Sequence, residues 1–177
     1  DEGTSAYCQA RSRLPLSILQ SLRAQAARTA EQRVPQDQSR WYGHEVSVVD
    51  GTTVSLPDTA PNQKKYPQSK SQKPGCGFPL LKLVGIFSLA SGALRADARG
   101  NKHQHELSLL HGLWKGLLQA GDLLLGDRGF GDYATLALLG EKGVLGLFRL
   151  HQARRSDLRQ GKRLGPQDRL LIWRKPW

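Results

Sequence analysis

The sequence predicts an α/β fold in which one mixed β-sheet is flanked by helices. Two β-rich runs, residues 80–89 and 93–98, are separated by the turn signal Ser91-Gly92 and predict an antiparallel pair. From residue 100 onward, helical and strand patterns alternate, which is typical of parallel strands joined by helices. Antiparallel strands followed by such alternation predict a mixed sheet.

Residues 1–40 are predicted to form a helical accessory segment that is separate from the sheet. Between residues 14 and 33, Leu16, Leu19 and Leu22 recur on one helical face. Val34-Pro35 is expected to end this helix, because the residue before a proline disfavours the helical conformation. The polar residues that follow, up to residue 40, have the composition of a linker.

Residues 41–150 are predicted to form the core domain. Its first strand is the β-branched run 45–50, followed by a turn at 51–53 and a second short strand from Val54. Residues 57–77 are polar and rich in lysine, proline and glycine, which predicts a mobile, basic surface loop.

Helical and strand patterns in the second half of the core are equally regular. A helix is predicted to open after Gly100 and to stop at Gly121, with a buried stripe that includes Trp114. Residues 122–127 and 144–150 predict two further strands. Asp132 is the predicted N-cap of a helix over residues 133–142.

The chain is strongly basic, with a formal net charge of +11 and a pI of about 10.1. Such an excess favours polyanionic partners through phosphate contacts, but does not by itself separate DNA from RNA or from an acidic protein. The two interpretations of the largest cluster of basic residues are that it contacts a DNA backbone or that it forms solvated surface. The cluster comprises Arg149, Arg154, Arg155, Arg159, Lys162 and Arg163.

Two classes of protein are disfavoured by composition. Cys8 and Cys76 have neither zinc-site nor disulfide-framework spacing and are expected to be reduced thiols. No apolar run approaches the ~20 residues that a membrane-spanning helix needs, so no membrane association is expected.

Asp50 and Asp127 are the candidate catalytic and metal-binding residues, because each directly follows an apolar run. Each is therefore expected at the carboxyl end of a buried strand, the edge where sites form in open α/β sheets. If the two strands are parallel neighbours, both carboxylates reach one cation, and such oxygen ligands suit Mg²⁺, with Mn²⁺ as the alternative. An aspartate after a strand is also a common turn former or helix cap, so the residues alone leave both roles open.

Four motifs surround these residues: VVDGTTV at 48–54, QKPGCGF at 72–78, GNKHQHE at 100–106 and LLGDRGF at 124–130. In this order they resemble the catalytic domain of DDE transposases, most closely the bacterial group of insertion sequence four. In that group the first aspartate lies in an Asp-x-Thr type motif and the second in an Asp-x-Gly-Phe/Tyr motif. Asp50 and residues 127–130 match these patterns, and the resemblance extends from about residue 44 to residue 176.

The resemblance implies a ribonuclease H-like fold and metal-dependent phosphodiester cleavage and strand transfer. It further implies double-stranded DNA as partner, both transposon terminal repeats and target, with a homodimer acting on paired ends in the bacterial cytoplasm at the nucleoid. Lys73 in the basic loop is then a candidate DNA contact. Arg128 is expected either to contact a DNA phosphate or to pair with a nearby carboxylate.

The resemblance also implies a third metal ligand, a glutamate in a Tyr-x-x-Arg-x-x-x-Glu pattern on a later helix, after a strand-rich insertion. Glu141, the only glutamate after Asp127, lacks this pattern. Residues 151–177 are therefore expected to begin the insertion, and the chain to be an inactive fragment whose third carboxylate lies beyond Trp177. Two alternatives remain: a nuclease of this fold that does not transpose, and a truncated DNA-binding remnant of a mobile element.

Overall fold

The computed structural model describes residues 3–73, 75–150, 159 and 161–174. Five helices and seven strands occur in these residues, in two sheets. In chain order they are α1 (Gly3–Arg13), α2 (Leu16–Gln32), β1 (Val46–Ser55), α3 (Ala60–Lys65), β2 (Leu80–Ser88), β3 (Leu94–Gly100), α4 (Glu106–Leu113), β4 (Leu123–Gly126), α5 (Tyr133–Glu141), β5 (Leu145–Phe148), β6 (Lys162–Gly165) and β7 (Asp168–Leu170).

The main sheet has the strand order β3-β2-β1-β4-β5. β1, β2 and β3 are mutually antiparallel, whereas β4 runs parallel to both β1 and β5. The antiparallel strands are joined by direct connections, and the parallel strands by the crossover helices α4 and α5, as strand direction requires. The predicted α/β class is confirmed, and the mixed sheet has the ribonuclease H-like arrangement that the resemblance implies.

α4 and α5 cover one face of the main sheet and enclose the hydrophobic core. Val84, Ile86 and Leu124 of the central strands are fully buried there against Leu110 and Leu139 of the two helices. Trp114, at the end of α4, is 2% exposed, which confirms its predicted place in the core. Burial of these side chains is the main force that holds the crossover helices on the sheet.

α2 lies against β3 and is held there by ion pairs. Arg95 of β3 bonds Glu31 at 3.0 Å and Glu45 at 2.7 Å, and Arg23 of α2 bonds Asp97 at 3.2 Å. The predicted helix of residues 14–33 is present as Leu16–Gln32, but its contact with the sheet was not expected. Residues 3–13, for which no helix was predicted, form α1.

The predicted turn at residues 51–53 is wrong. β1 runs without interruption from Val46 to Ser55, because Thr52, Thr53 and Val54 continue the antiparallel ladder opposite residues 81–83 of β2. The β-branched side chains of this stretch favour extended backbone, and β2 supplies the hydrogen-bonding partner.

Three further boundaries differ from the prediction. α4 begins at Glu106 rather than near residue 100, because Gly100 is still paired with Lys82 in the sheet. The predicted loop 57–77 contains the short helix α3, which Thr59 caps by accepting a hydrogen bond from Asn62 N at 3.4 Å. The apolar run from Leu170 to Trp173 predicts one more strand, whereas the observed strand lies earlier, at Asp168–Leu170, where it pairs with β6.

The cap of α5 and the two cysteines agree with the prediction. Asp132 caps α5, accepting a hydrogen bond from the Thr135 backbone N–H at 2.7 Å. Cys8 and Cys76 are free and exposed. Within the described part of the chain, no helix is both long and apolar enough to cross a membrane.

Candidate active site

Asp50 and Asp127 occupy equivalent positions on two neighbouring parallel strands. β1 and β4 pair from Val46–Leu123 through Val49–Gly126. Asp50 and Asp127 directly follow this last pair, whose backbones are about one strand spacing or ~4.8 Å apart, so the two residues are neighbours where the pairing ends. The two strands are therefore parallel neighbours, the condition under which both carboxylates reach one cation.

The sequence predicted both aspartates at the carboxyl ends of strands. This is correct for Asp127, which directly follows Gly126 at the end of β4, but wrong for Asp50, because β1 continues to Ser55. At Asp50, β1 retains β2 as a neighbour, through the pair Asp50–Gly85, and loses β4. The two residues therefore lie at a step where the sheet narrows from five strands to three.

Each carboxylate is oriented by a backbone N–H close to it in the chain. Asp50 Oδ1 accepts a hydrogen bond from Gly51 N at 2.8 Å, and Asp127 Oδ1 accepts one from Gly129 N at 2.7 Å. The Phe130 N–H donates to the Asp127 carbonyl at 3.2 Å and closes a turn. Asp127 is thus a turn former as well as a candidate ligand. Both side chains are exposed and accessible to a ligand.

Gly126 leaves no room for a side chain beside Asp127. A Cβ at this position would lie 2.8 Å from side-chain atoms of both Val49 and Phe148. Phe148 comes equally close to Gly131, where a Cβ would lie 2.5 Å away. The end of β4 and the turn after it therefore pack closely against the ring of Phe148 in β5.

We expect Gly126→Ala to lower the free energy of unfolding by about 1–3 kcal/mol, the usual cost of overpacking a well-filled site. Gly112→Ala is the matched control, since a Cβ in this α4 position meets nothing within 4 Å. Replacing a helical glycine of this kind with alanine is expected to stabilise the protein by about 0.5–1 kcal/mol. Urea denaturation of the two variants measures both changes, and equal effects would contradict the close fit at Gly126.

Glu106 lies beside Gly51, the residue after Asp50, and the sequence did not predict this proximity. Its carboxyl group lies 3.2 Å from the position that a Cβ on Gly51 would take, next to Asp50 in β1. Glu106 is the first residue of α4, where the helix dipole favours a negative charge. A Cβ at position 51 would require the Glu106 side chain to shift by a few tenths of an ångström.

In the sequence, His103 and His105 beside Glu106 could also form a metal cluster, but residues two apart at the start of a helix point in different directions, which favours ordinary polar contacts. His105 is the N-cap residue of α4 and makes no capping hydrogen bond with its side chain. In the part of the chain that the structure describes, no group of three or more His, Cys, Asp or Glu side chains is arranged to hold a metal ion. Within the described residues, the candidate metal site therefore consists of two carboxylates, those of Asp50 and Asp127.

Comparison with known proteins gives one decisive match. Residues 41–176, more than half of the chain, match the family described as "Transposase DDE domain". The chain belongs to the transposase DDE domain family. Comparison with curated proteins gives no match.

One solved structure similar to this transposase DDE domain is described as "Cryo-EM structure of piggyBac transposase synaptic complex with hairpin DNA". The two chains are 9% identical, with a TM-score of 0.47. The similarity covers 69% of this chain and 27% of the other, so the present chain spans little more than a quarter of that chain's length.

The donor set of this transposase DDE domain fits a divalent cation that prefers oxygen ligands. Asp50 and Asp127 each offer a carboxylate, and each uses Oδ1 for a backbone N–H. Two carboxylates with open coordination positions are typical of Mg²⁺ sites, where water and phosphate oxygens complete the shell. Domains of this family work with divalent metal ions, so the donor chemistry agrees with the family.

The predicted DNA-binding residues of the domain fall into four groups. Arg128 and Arg149 closely follow β4 and β5, at the end of the sheet that carries the aspartates, whereas Lys73 lies in the loop between β1 and β2; all three are exposed. Lys162 and Arg163 are exposed on β6, in the separate two-stranded sheet. Arg154 and Arg155 lie outside the described residues. DNA contact by these residues stays a prediction.

Proposed function

We propose that this domain is the catalytic part of a DNA transposase of the bacterial insertion-sequence-four group. The complete protein would cut the phosphodiester bonds at the ends of a mobile element and join the freed 3′-hydroxyl to target DNA. The observation that carries the proposal is the register of β1 and β4, which sets Asp50 and Asp127 side by side at an exposed edge.

In the proposed mechanism, Asp50 and Asp127 hold Mg²⁺, with Mn²⁺ as the alternative. A divalent ion bound there supplies Lewis-acid stabilisation of the charge that develops on the phosphate oxygens. The Gly51 and Gly129 N–H groups keep the two carboxylates in place through Oδ1. Arg128, exposed directly after Asp127, orients a DNA phosphate at this edge.

Two ligands are an incomplete set, and we propose that the third is a glutamate outside residues 1–177, in the Tyr-x-x-Arg-x-x-x-Glu pattern of the resembling group. It follows that residues 1–177 alone bind DNA without cutting it. We also propose that the complete protein acts as a homodimer on paired terminal repeats, in the bacterial cytoplasm at the nucleoid.

The test is an assay of the full-length protein on labelled duplex DNA that carries the element's ends, with unlabelled target DNA. We expect nicks with free 3′-hydroxyl ends, followed by joined products, in Mg²⁺ but not in EDTA. Metal-dependent nicks without joined products would identify a nuclease instead. Absence of any metal-dependent nicking by full-length protein would overturn the proposal.

A further inference from the structure

The β1–β2 loop, residues 56–79, is folded by the side chain of one glutamine. Gln68 Oε1 accepts hydrogen bonds from Gly75 N at 3.2 Å and Gly77 N at 3.3 Å. Its Nε2 donates to the carbonyls of Lys73 at 2.7 Å and Gln72 at 3.3 Å. One amide group therefore satisfies four backbone groups, on residues 72, 73, 75 and 77.

A second glutamine joins this turn to the rest of the loop. Gln63, in α3, donates to Gly77 O at 2.9 Å and to Asp58 Oδ1 at 2.8 Å, and accepts from Gln68 N at 3.1 Å. Because amide side chains both donate and accept, they replace the backbone ladder that an irregular segment lacks. The sequence predicted a mobile loop here, whereas the structure gives its backbone defined partners.

The loop is also tied to the edge of the main sheet. Lys102 Nζ donates to Gln68 O at 2.5 Å, and Asn101 Nδ2 donates to Lys65 O at 3.2 Å. Residues 101 and 102 directly follow β3, which ends at the edge that carries Asp50. The position of the loop relative to the two aspartates is therefore defined by hydrogen bonds.

The hydrogen-bonded β1–β2 loop has a strong excess of positive charge. It contains four lysines, at positions 64, 65, 70 and 73, and a single acidic residue, Asp58. All four lysines are exposed, and none of them forms an ion pair with another described residue. Their charges are available to an outside anion.

The strand register places the start of the loop relative to Asp50. β1 and β2 remain paired for five residues beyond Asp50, from Gly51–Val84 to Ser55–Leu80. At ~3.3 Å per residue, the loop begins about 17 Å beyond the carboxylates. Successive phosphates of one DNA strand advance by ~3.4 Å along the helix axis, so the same distance spans about five nucleotides.

We propose that the β1–β2 loop is a preformed clamp for duplex DNA, whose lysines contact backbone phosphates about five nucleotides from the bond that is cut. Its location relative to that bond rests on the proposed function. Gln68 is a positioning residue, because its side-chain hydrogen bonds to residues 72, 73, 75 and 77 close the segment that carries Lys70 and Lys73. Fixing the loop before binding lowers the ordering entropy that a flexible chain would lose on contact with DNA.

The test measures binding of full-length protein to a labelled duplex in EDTA over a series of salt concentrations. We expect the pair Lys70→Gln and Lys73→Gln to reduce the slope of log K against log salt by about 0.9 for each lost contact. The matched control is Lys115→Gln with Lys142→Gln. These exposed residues precede β4 and β5, at the opposite edge of the sheet, and the slope should stay unchanged.

Gln68→Ala tests whether the position of the loop lysines matters, because it disturbs the loop without removing a charge. We expect it to weaken duplex binding several-fold and to lower the salt slope. Wild-type binding by Gln68→Ala, or an equal loss from both lysine pairs, would overturn the clamp. Tighter binding to duplex RNA of the same sequence would overturn the choice of DNA.

Binding in EDTA is independent of metal-dependent cutting, so the failure of each proposal is recognised separately. Loss of cutting in aspartate variants with unchanged lysine effects leaves the clamp supported. Normal cutting by the Lys70 and Lys73 variant, with an unchanged salt slope, overturns the clamp and leaves the catalytic proposal in place.

Discussion

Asp50→Asn and Asp127→Asn are each expected to reduce Mg²⁺-dependent nicking by the full-length protein by at least about a hundredfold. Metal-assisted charge stabilisation contributes several kcal/mol to a phosphoryl reaction, and each 1.36 kcal/mol is worth a factor of ten in rate. Asparagine keeps the Oδ1 acceptor that receives the Gly51 or Gly129 N–H, so local structure should be retained. Only the charge of the ligand is lost.

The double variant distinguishes a shared ion from two independent effects. If Asp50 and Asp127 hold the same ion, removing both should cost little more than removing one, because residues that act as a unit are not additive. Asp122→Asn is the control, an aspartate before the opposite end of β4 whose Oδ2 accepts from Gln119 N at 2.8 Å. Wild-type rates in both single variants would end the assignment of the active site.

The largest expected effect on stability is that of Leu124→Ala. Leu124 is fully buried in β4, between β1 and β5, and packs in the core with Val49 and Leu139. Removing a buried leucine side chain leaves a cavity and typically costs 2–5 kcal/mol. We expect a loss of roughly this size in the free energy of unfolding, measured by urea denaturation.

Leu147→Ala is the control for this loss. Leu147 lies on the neighbouring strand β5 but is 55% exposed, so the same substitution should cost well under half as much. Similar losses in the two variants would show that core burial does not account for the stability of β4, and with it the position of Asp127.

Much of the fold could be predicted from local pattern. The β-rich runs around Ser91-Gly92, the apolar run before Asp127 and the cap at Asp132 all appear in the structure close to their predicted places. These features depend on residues a few positions apart, whose preferences act locally. The errors involve contacts between segments that are far apart in the chain. The turn predicted at residues 51–53 is absent because β2, some thirty residues later, pairs with that stretch.

The candidate site also combines features that the sequence predicted with features that it could not predict. The choice of Asp50 and Asp127 came from apolar runs and motifs, whereas the proximity of Glu106 to Gly51 could not be predicted, since it depends on how α4 packs against β2 and β3. The role of Gln68 was missed for a related reason. A glutamine in a polar stretch has no distinctive pattern, and its four hydrogen bonds form only once the loop is closed.

The sequence by itself determined the class of the fold, the two candidate carboxylates and the excess of positive charge. Only the tertiary structure decided that β1 and β4 are parallel neighbours in the register that sets Asp50 beside Asp127. It also decided that the β1–β2 loop, which carries four lysines, is hydrogen-bonded to the two residues that follow β3. The physical reason is that strand register and loop closure arise from hydrogen bonds and burial between segments far apart in the chain, which local propensity does not encode.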